Sequence, residues 1–441
     1  MRIPERPPFF DNSLEYREII NDLAKAGKLI SFLDQNDQSY PYWEKWKWIA
    51  KEWGLDPVKI WNAVKIYRQN RTKIRFSEIS GFQFYINSPS IVLKSLHELD
   101  LNLGGNMRSD GLIPPEQKNQ YLVSSLMEEA IASSQLEGAA TTRKVAREML
   151  ENNRKPRNQG EQMIVNNYEA MKWIVANKDQ KFTAKNILTL HAILTKKTLV
   201  NGEEEGNFRK DDGINVVEAA TGRIVYTPPS YVQLDPLMRD FCSFANDEDK
   251  GVFFIHPISK AIVIHFLIGY IHPFSDGNGR TARTLFYWYL IKKNYWLIEY
   301  MSVSRIMLSS KAQYAQAYLH TELDDNDLTY FLLYNLKCIQ KALSDLRLYI
   351  EKKNEEKKRA ISLLKNSSFN ERQIMLINDL LLDQNQSFTV AQVQNRMSIS
   401  NQTARSDLNE LVEKGLLESR RIGKQAHFFA TAAFEQLWKR S

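Results

Sequence analysis

His272-Pro-Phe-Ser-Asp-Gly-Asn-Gly-Arg-Thr-Ala-Arg283 is the stretch on which the reading of this 441-residue chain turns. Before it, Ile258 to Ile271 is mostly apolar, which predicts a helix buried on most sides. Pro273 disfavours helical geometry at the residue preceding it, so that helix should end at His272. A second helix should begin around Arg280. Between them, Gly277 and Gly279 free the backbone for positive φ and for close approach of a ligand. A glycine-rich turn feeding a helix N-terminus gathers backbone N–H groups and the positive end of the helix dipole, and such a nest binds phosphate. Arg280 and Arg283 sit three apart in the first turn of that helix. Cations oppose the dipole there unless an anion lies nearby, which points to a polyphosphate. Asp276 supplies a hard oxygen ligand suited to the Mg²⁺ that accompanies nucleotide phosphates. His272 is by type a general base for an attacking hydroxyl.

Each residue alone has a plainer explanation: a structural histidine at a helix end, turn glycines, solvated arginines. The combination decides, because His-x-Phe-x-(Asp/Glu)-Gly-Asn-Gly-Arg-x-x-Arg should arise by chance in roughly one chain in ten million or fewer. The loop resembles the signature of the Fic family (filamentation induced by cAMP) at every motif position. That resemblance implies a protein adenylyltransferase, which moves AMP from ATP to a Ser, Thr or Tyr hydroxyl of a target protein or of itself. By the same resemblance His272 deprotonates the hydroxyl and Asp276 holds Mg²⁺ between the α- and β-phosphates. Gly277, Asn278 and Gly279 form an anion hole, Arg280 and Arg283 bind the remaining phosphates, and Phe274 anchors the loop in the core.

The expected fold class is mainly α. From Glu116 to about Glu351 apolar residues recur three and four apart, with one exception: Gly213 to Pro229 reads as two β-branched runs around Thr221-Gly222, a hairpin signal. Gly206-Asn-Phe-Arg209, the hairpin ending Tyr226-Thr-Pro-Pro229, and His256-Pro257 resemble the family's surroundings of the signature. The resemblance makes Ile224, Val225 and Tyr226 a flap that docks the target by strand addition. The likeness covers about Glu116 to Ala342 and thins beyond Ser304, where Tyr314-Ala315 stands in place of paired tyrosines.

Gln120 to Glu137 reads as a helix stopped by Gly138. Ser133 and Glu137 share one face of it. Ser133-x-x-x-Glu137-Gly138 resembles the inhibitory motif of some Fic proteins. The implied device is ionic: Glu137 pairs with Arg283 and removes it from the γ-phosphate, leaving the α-phosphate misaligned.

Length and composition set the frame. The chain is too long for one compact core. Expected divisions are an N-terminal helical, aromatic-rich extension (1–115), the catalytic domain (116–355), and a linker helix with a tail domain (356–441). Tyr40-Pro-Tyr-Trp-Glu-Lys-Trp-Lys-Trp48 reads as core or docking contacts on a helix. Net charge is +7, suited to ATP or DNA without choosing between them. Two distant cysteines, no apolar leader and no membrane-length apolar run predict a cytoplasmic protein with no membrane partner. Self-association, as a homodimer for instance, is left open.

The tail from Phe369 reads as three helices and a hairpin, with Ser387 to Met397 as the second helix, Ser400 capping the third and the wing turning at Gly423. It resembles a winged helix-turn-helix domain. Asn401, Gln402 and Arg405 would face a major groove, and Arg420, Arg421 and Lys424 would reach phosphates. With nine Lys/Arg against eight Asp/Glu from Phe369 onward, its partner is either DNA or protein. Three alternatives to AMP transfer remain: removal of AMP, another nucleotide or phosphocholine donor, and a DNA-binding regulator that uses the loop to sense nucleotide.

Overall fold

The structure, a computed structural model, describes residues 3–10, 16–69, 72–75, 82–104, 118–217, 222–248, 254–363, 369–382, 386–423, 425–431 and 434. Lys424, Thr221 and the turn-rich boundary from 105 to 115 lie outside them.

Four helices begin the chain: α1 (Tyr16–Lys25), α2 (Leu29–Asp34), α3 (Trp43–Glu52) and α4 (Pro57–Tyr67). Trp43 and Trp46 of α3 are buried while Trp48 stays exposed, so the aromatic segment supplies core on one face only. Asp56 caps α4 by accepting from the Lys59 N–H, with Pro57 in the first turn where its missing N–H costs nothing. An antiparallel hairpin follows, β1 (Thr72–Arg75) with β2 (Gln83–Ile86), and then α5 (Ser90–Leu103). That hairpin was not expected in a helical extension. The body then runs α6 (Lys118–Leu136), α7 (Arg143–Glu151), α8 (Gln159–Ala176) and α9 (Ala184–Thr195). After the two-stranded flap β3 (Val216–Val217) and β4 (Ile224–Tyr226) come α10 (Leu234–Ala245), α11 (Pro257–Ile271) and α12 (Asn278–Lys292). α13 (Val303–Ser309), α14 (Lys311–Leu323) and the 35-residue α15 (Thr329–Leu363) complete it.

The fold is mainly α. α11 and α12 are buried on nearly every face at its centre. One apolar cluster runs from Ile19 and Trp46 through Phe266 and Trp288 to Leu346, so the N-terminal segment and the helical body share a core. Their junction is polar as well as greasy. Arg68 is fully buried and donates to Asn36, Pro41 and the Tyr330 hydroxyl. Tyr40 donates to Asp327, and Lys65 reaches Asp324 at 2.5 Å.

The tail holds α16 (Glu371–Leu382), β5 (Ser387–Phe388), α17 (Val390–Met397), α18 (Asn401–Glu413), β6 (Leu417–Ile422) and β7 (Gln425–Ala430). The sheet order is β5-β7-β6, around a separate apolar cluster. The second helix therefore starts three residues later than expected. Thr389 and Gln392 form a reciprocal capping box that begins α17, and the extended Ser387-Phe388 delivers Phe388 to the tail's core. α17 seats this domain on the body, with Asn395 donating to the Glu151 carbonyl at 2.6 Å.

The ion pair at the junction gives a test. Lys65 and Asp324 side chains are only 7% and 2% exposed. Lys65→Ala should cost about 3 kcal/mol in urea unfolding, because it strands a buried carboxylate, while Lys65→Met combined with Asp324→Leu should recover most of that loss.

Candidate active site

α11 ends where proline dictates. His272 takes a left-handed conformation (φ 50°) as the C-cap, and the chain turns through Pro273 and Phe274. Phe274 is fully buried, as the signature implied. α12 starts at Asn278, two residues before the expected Arg280, because Gly277 (φ +83°) turns the chain straight into helix. A side chain at Gly277 would be strained in that conformation and would also press on Thr195.

The side chain of Asn278 braces the loop: it accepts from the Phe274 N–H at 3.0 Å and donates to the Phe274 carbonyl at 2.8 Å. The first N–H groups of α12, like those of any helix, have no carbonyl one turn earlier in the helix to meet. Asp276 is exposed, accepts from the Gly277 N–H at 2.5 Å and stands 3.4 Å from the Arg280 guanidinium. Arg280 is fully buried and also donates to the Leu194 carbonyl. No cluster of three or more His, Cys, Asp or Glu side chains converges into a metal cage among the described residues. A magnesium ion that takes most of its oxygens from water and phosphate needs only one such carboxylate, and Asp276 fits that demand.

His272 donates from Nδ1 to the Gly269 carbonyl at 3.1 Å. That fixes the tautomer and leaves the lone pair on Nε2. Burial holds the imidazole below its ordinary value, against opposing pulls from the Gly269 carbonyl and Glu137, so the ring is neutral at pH 7.

Ser133, Glu137 and Arg283 meet. Arg283 is 2% exposed; Nε donates to Ser133 Oγ, and Nη2 to the Ser133 carbonyl and Glu137 Oε1, all at 2.9 Å. The Glu137 carboxylate lies over Gly279, where a methyl group would overlap Oε1. Gly138 (φ +91°) ends the helix behind it. Four residues earlier on α6, buried Glu129 accepts from Tyr287, Ser302 and both the N–H and hydroxyl of Ser304, which fastens α6 to the body.

On the opposite side, Val217 and Ile224 of the flap are exposed, and Tyr226 donates its hydroxyl to the Tyr270 carbonyl at 2.9 Å. Val225 is half-buried between them.

Two positioning residues escaped the sequence. His191 on α9 stacks on Phe274, centroids 3.7 Å apart and 4° from parallel. Its Nδ1 accepts from the Gly206 N–H at 3.0 Å, so its Nε2 donates to the Asp276 carbonyl at 2.9 Å. A single histidine inside a helix carries no sequence signal of that role. Arg209 did carry one, in Gly206-Asn-Phe-Arg209. It donates to the His272 carbonyl at 2.9 Å, to Asp212 and to the Pro229 carbonyl, tying the loop to the base of the flap.

In the tail, Asn401, Gln402, Arg405 and Arg421 are exposed on α18 and the wing. Arg420 is also exposed but pairs with Glu418 along its own strand.

Comparison with known proteins matches this geography. The Fic/DOC family model matches residues 181–290, and the model of the DeoR-like helix-turn-helix domain matches 374–423. A protein adenylyltransferase Fic of Aedes aegypti is 36% identical over 129 residues, 29% of this chain and 23% of that one. The same-named protein of Drosophila grimshawi is 32% identical over 183 residues, 41% and 33% of the two chains. The chain thus spans about a quarter to a third of the length of these curated relatives. Among solved structures, a Fic family protein of Desulfovibrio desulfuricans G20 superposes with a TM-score of 0.45 at 17% identity, over 77% of this chain and 95% of its own. A Fic-domain signalling protein of Bacteroides thetaiotaomicron gives 0.46 at 19%, over 58% and 97%.

His191 offers the check on the loop's construction. His191→Phe keeps the stacking but orphans the Gly206 N–H and the Asp276 carbonyl. It should cost about 3 kcal/mol in urea unfolding, whereas a residue that merely filled space would tolerate the swap.

Proposed function

From a chain that carries a Fic/DOC-family domain and a C-terminal DeoR-like helix-turn-helix domain, we propose a protein adenylyltransferase held at rest by Glu137. The observation that carries the reading is the juxtaposition of a neutral His272, its Nε2 lone pair available, with the α12 N-terminus and its two buried arginines. In the proposed reaction a target Ser, Thr or Tyr oxygen attacks the α-phosphorus of ATP as His272 Nε2 takes the hydroxyl proton. The new O–P bond forms as the bond to the β-phosphate oxygen breaks, and pyrophosphate leaves. Asp276 would hold Mg²⁺, which when bound neutralises charge on the phosphates. Arg280 and Arg283 would steady the β- and γ-phosphates, and the backbone donors of Asn278 and Gly279 would face the developing charge, joined by that of Gly277 once Asp276 turns to the metal. The exposed β4 edge of Ile224, Val225 and Tyr226 would pair with an extended target segment.

In the resting arrangement Arg283 is already occupied, and the Glu137 carboxylate sits over Gly279 in the nest meant for phosphate. A nucleotide must compete with a carboxylate, and one that binds beside it is displaced from the line of attack. The reverse reaction, removal of AMP with Glu137 orienting water, uses the same residues and is separated by the experiment below.

A second reading attaches to the tail. The recognition-helix face bearing Asn401, Gln402 and Arg405 is exposed while α17 is docked on the body, so duplex DNA could reach it without undocking. Full-length protein should bind duplex with a salt-sensitive affinity, and Arg405→Ala should weaken it. Absence of binding at 50 mM salt would leave the domain as a protein-docking scaffold. Either way, removing 369–441 should leave self-modification measurable.

AMP incorporation should rise by an order of magnitude or more in Glu137→Gly, and His272→Ala in that background should abolish it while ATP binding persists. Glu137→Gly should add nothing when Arg283 is already Ala, since both changes act on one interaction. Equal rates for wild type and Glu137→Gly would remove the restraint but leave the enzyme. A loss of AMP removal from a modified target would recast Glu137 as a residue of the reverse reaction.

A further inference from the structure

Glu137 stands at the turn of a helical hairpin. α6 stops there at the left-handed Gly138, the chain folds back through Ala139 to Thr142, and α7 returns along α6. The turn is stitched by the Ala139 N–H to the Ser134 carbonyl at 3.0 Å and by the Gln135 side chain to the Thr141 carbonyl at 2.6 Å. Further along, Arg143 and Arg147 of α7 both pair with Glu128 of α6. The apolar side of α7 packs with Met127, Ile131, Ala139 and Ile164 in a small cluster apart from the main core.

α7 has little to hold it in place by itself. It has nine residues, fewer than the roughly 12 at which an isolated helix becomes even marginally stable. Its charges run against the helix dipole, with Arg143 and Lys144 at its start and Glu148 and Glu151 at its end. It therefore depends on tertiary support, and the tail supplies part of that support. α17 packs against both α6 and α7. Asn395 donates to the Glu151 carbonyl at 2.6 Å, one of the acceptors that the end of α7 leaves without a helical partner. The side chains of Thr389 and Asn152 meet at 3.4 Å. Gln394, Asn395 and Ile399 share a cleft with Val123 of α6 and with Met149 and Leu150 of α7. The open end of the hairpin is thus clasped by the first helix of the helix-turn-helix pair, while its closed end carries Glu137.

We propose that the tail braces the restraint: α17 holds α7, and through Ala139 the turn, in the position that keeps the Glu137 carboxylate on Arg283. The inference rests on the reading of Glu137 as a restraint. Glu129 pins the middle of α6 to the body, so the parts free to shift are α7, the turn and the end of α6 beyond Glu129. A partner of the tail that lifts α17 from the hairpin loosens these parts together, and Arg283 becomes free to meet a phosphate.

The test is made in the full-length protein. Asn395→Ala removes the donor to α7, and Asn395→Glu sets a carboxylate against the Glu151 carbonyl. Asn395 is not among the residues of the tail's own core, so both variants leave that core intact. AMP incorporation is measured in the wild-type and Glu137→Gly backgrounds, alongside hydrogen exchange of the backbone amides. Asn395→Ala should raise incorporation about fivefold, the shift in a two-state balance that follows the loss of one hydrogen bond, and Asn395→Glu should raise it further. Amides of α7 should exchange faster in both variants while those of α18 keep their protection. In the Glu137→Gly background neither variant should add anything, because nothing remains to release. Faster exchange in α7 with unchanged incorporation overturns the proposal, as does unchanged exchange, or an equal rise in the Glu137→Gly background. Equal incorporation by wild type and Glu137→Gly would instead remove the restraint itself, and the brace with it.

Discussion

A guanidinium cut off from water must be paired at every moment, and Arg283 is such a group. α6 offers it one hydroxyl, one carbonyl and one carboxylate, and the Tyr314 phenol of α14 lies beside it. That need explains why a helix far away in sequence is fastened so firmly beside α12, with Glu129 as a second buried anchor one turn before Ser133. It also keeps His265 neutral, since the imidazole is buried next to a fixed positive charge. A phosphate group would meet the same need, and on the proposed reading restraint and substrate binding converge on one side chain.

The parts of the site legible in the sequence were those written contiguously. The twelve residues from His272 to Arg283 announce their chemistry because loop, helix N-terminus and charges are local, and a helix stop at Pro273 follows from backbone sterics alone. The partner of Glu137 lies 146 residues away, and it was legible only through the resemblance of Ser133-x-x-x-Glu137-Gly138 to an inhibitory motif, since the spacing alone marks no more than a helix face and its end. What stayed hidden depends on tertiary packing. His191 is informative only once Phe274 lies against it and two backbone groups reach its nitrogens. The first hairpin and β5 are strands of four and two residues whose extended form is set by what they pair with, not by propensity. Helix starts moved by two or three residues wherever a cap or a left-handed glycine, rather than apolar periodicity, fixes the boundary.

Integration differs along the chain. Among the described residues the N-terminal segment shares one apolar cluster with the helical body, and buried Arg68, Lys65 and Tyr40 cross the seam. The tail keeps a separate cluster and meets the body through α16, which packs on α15, and through α17. The first reaches the candidate site: Phe82 and Phe84 beside its hairpin pack on Tyr270, whose carbonyl holds the flap.

Gly279 carries a consequence for how such a protein can change over generations. Its bare backbone is what allows a carboxylate, and on the proposed reading a phosphate, to occupy the same nest. Any side chain acquired there evicts both, so inherited variation at this position cannot produce an unrestrained enzyme. On that reading, escape from restraint arises on α6, outside the signature loop. Control and AMP transfer would then mutate on separate elements, and a lineage could tune the first without gambling the second.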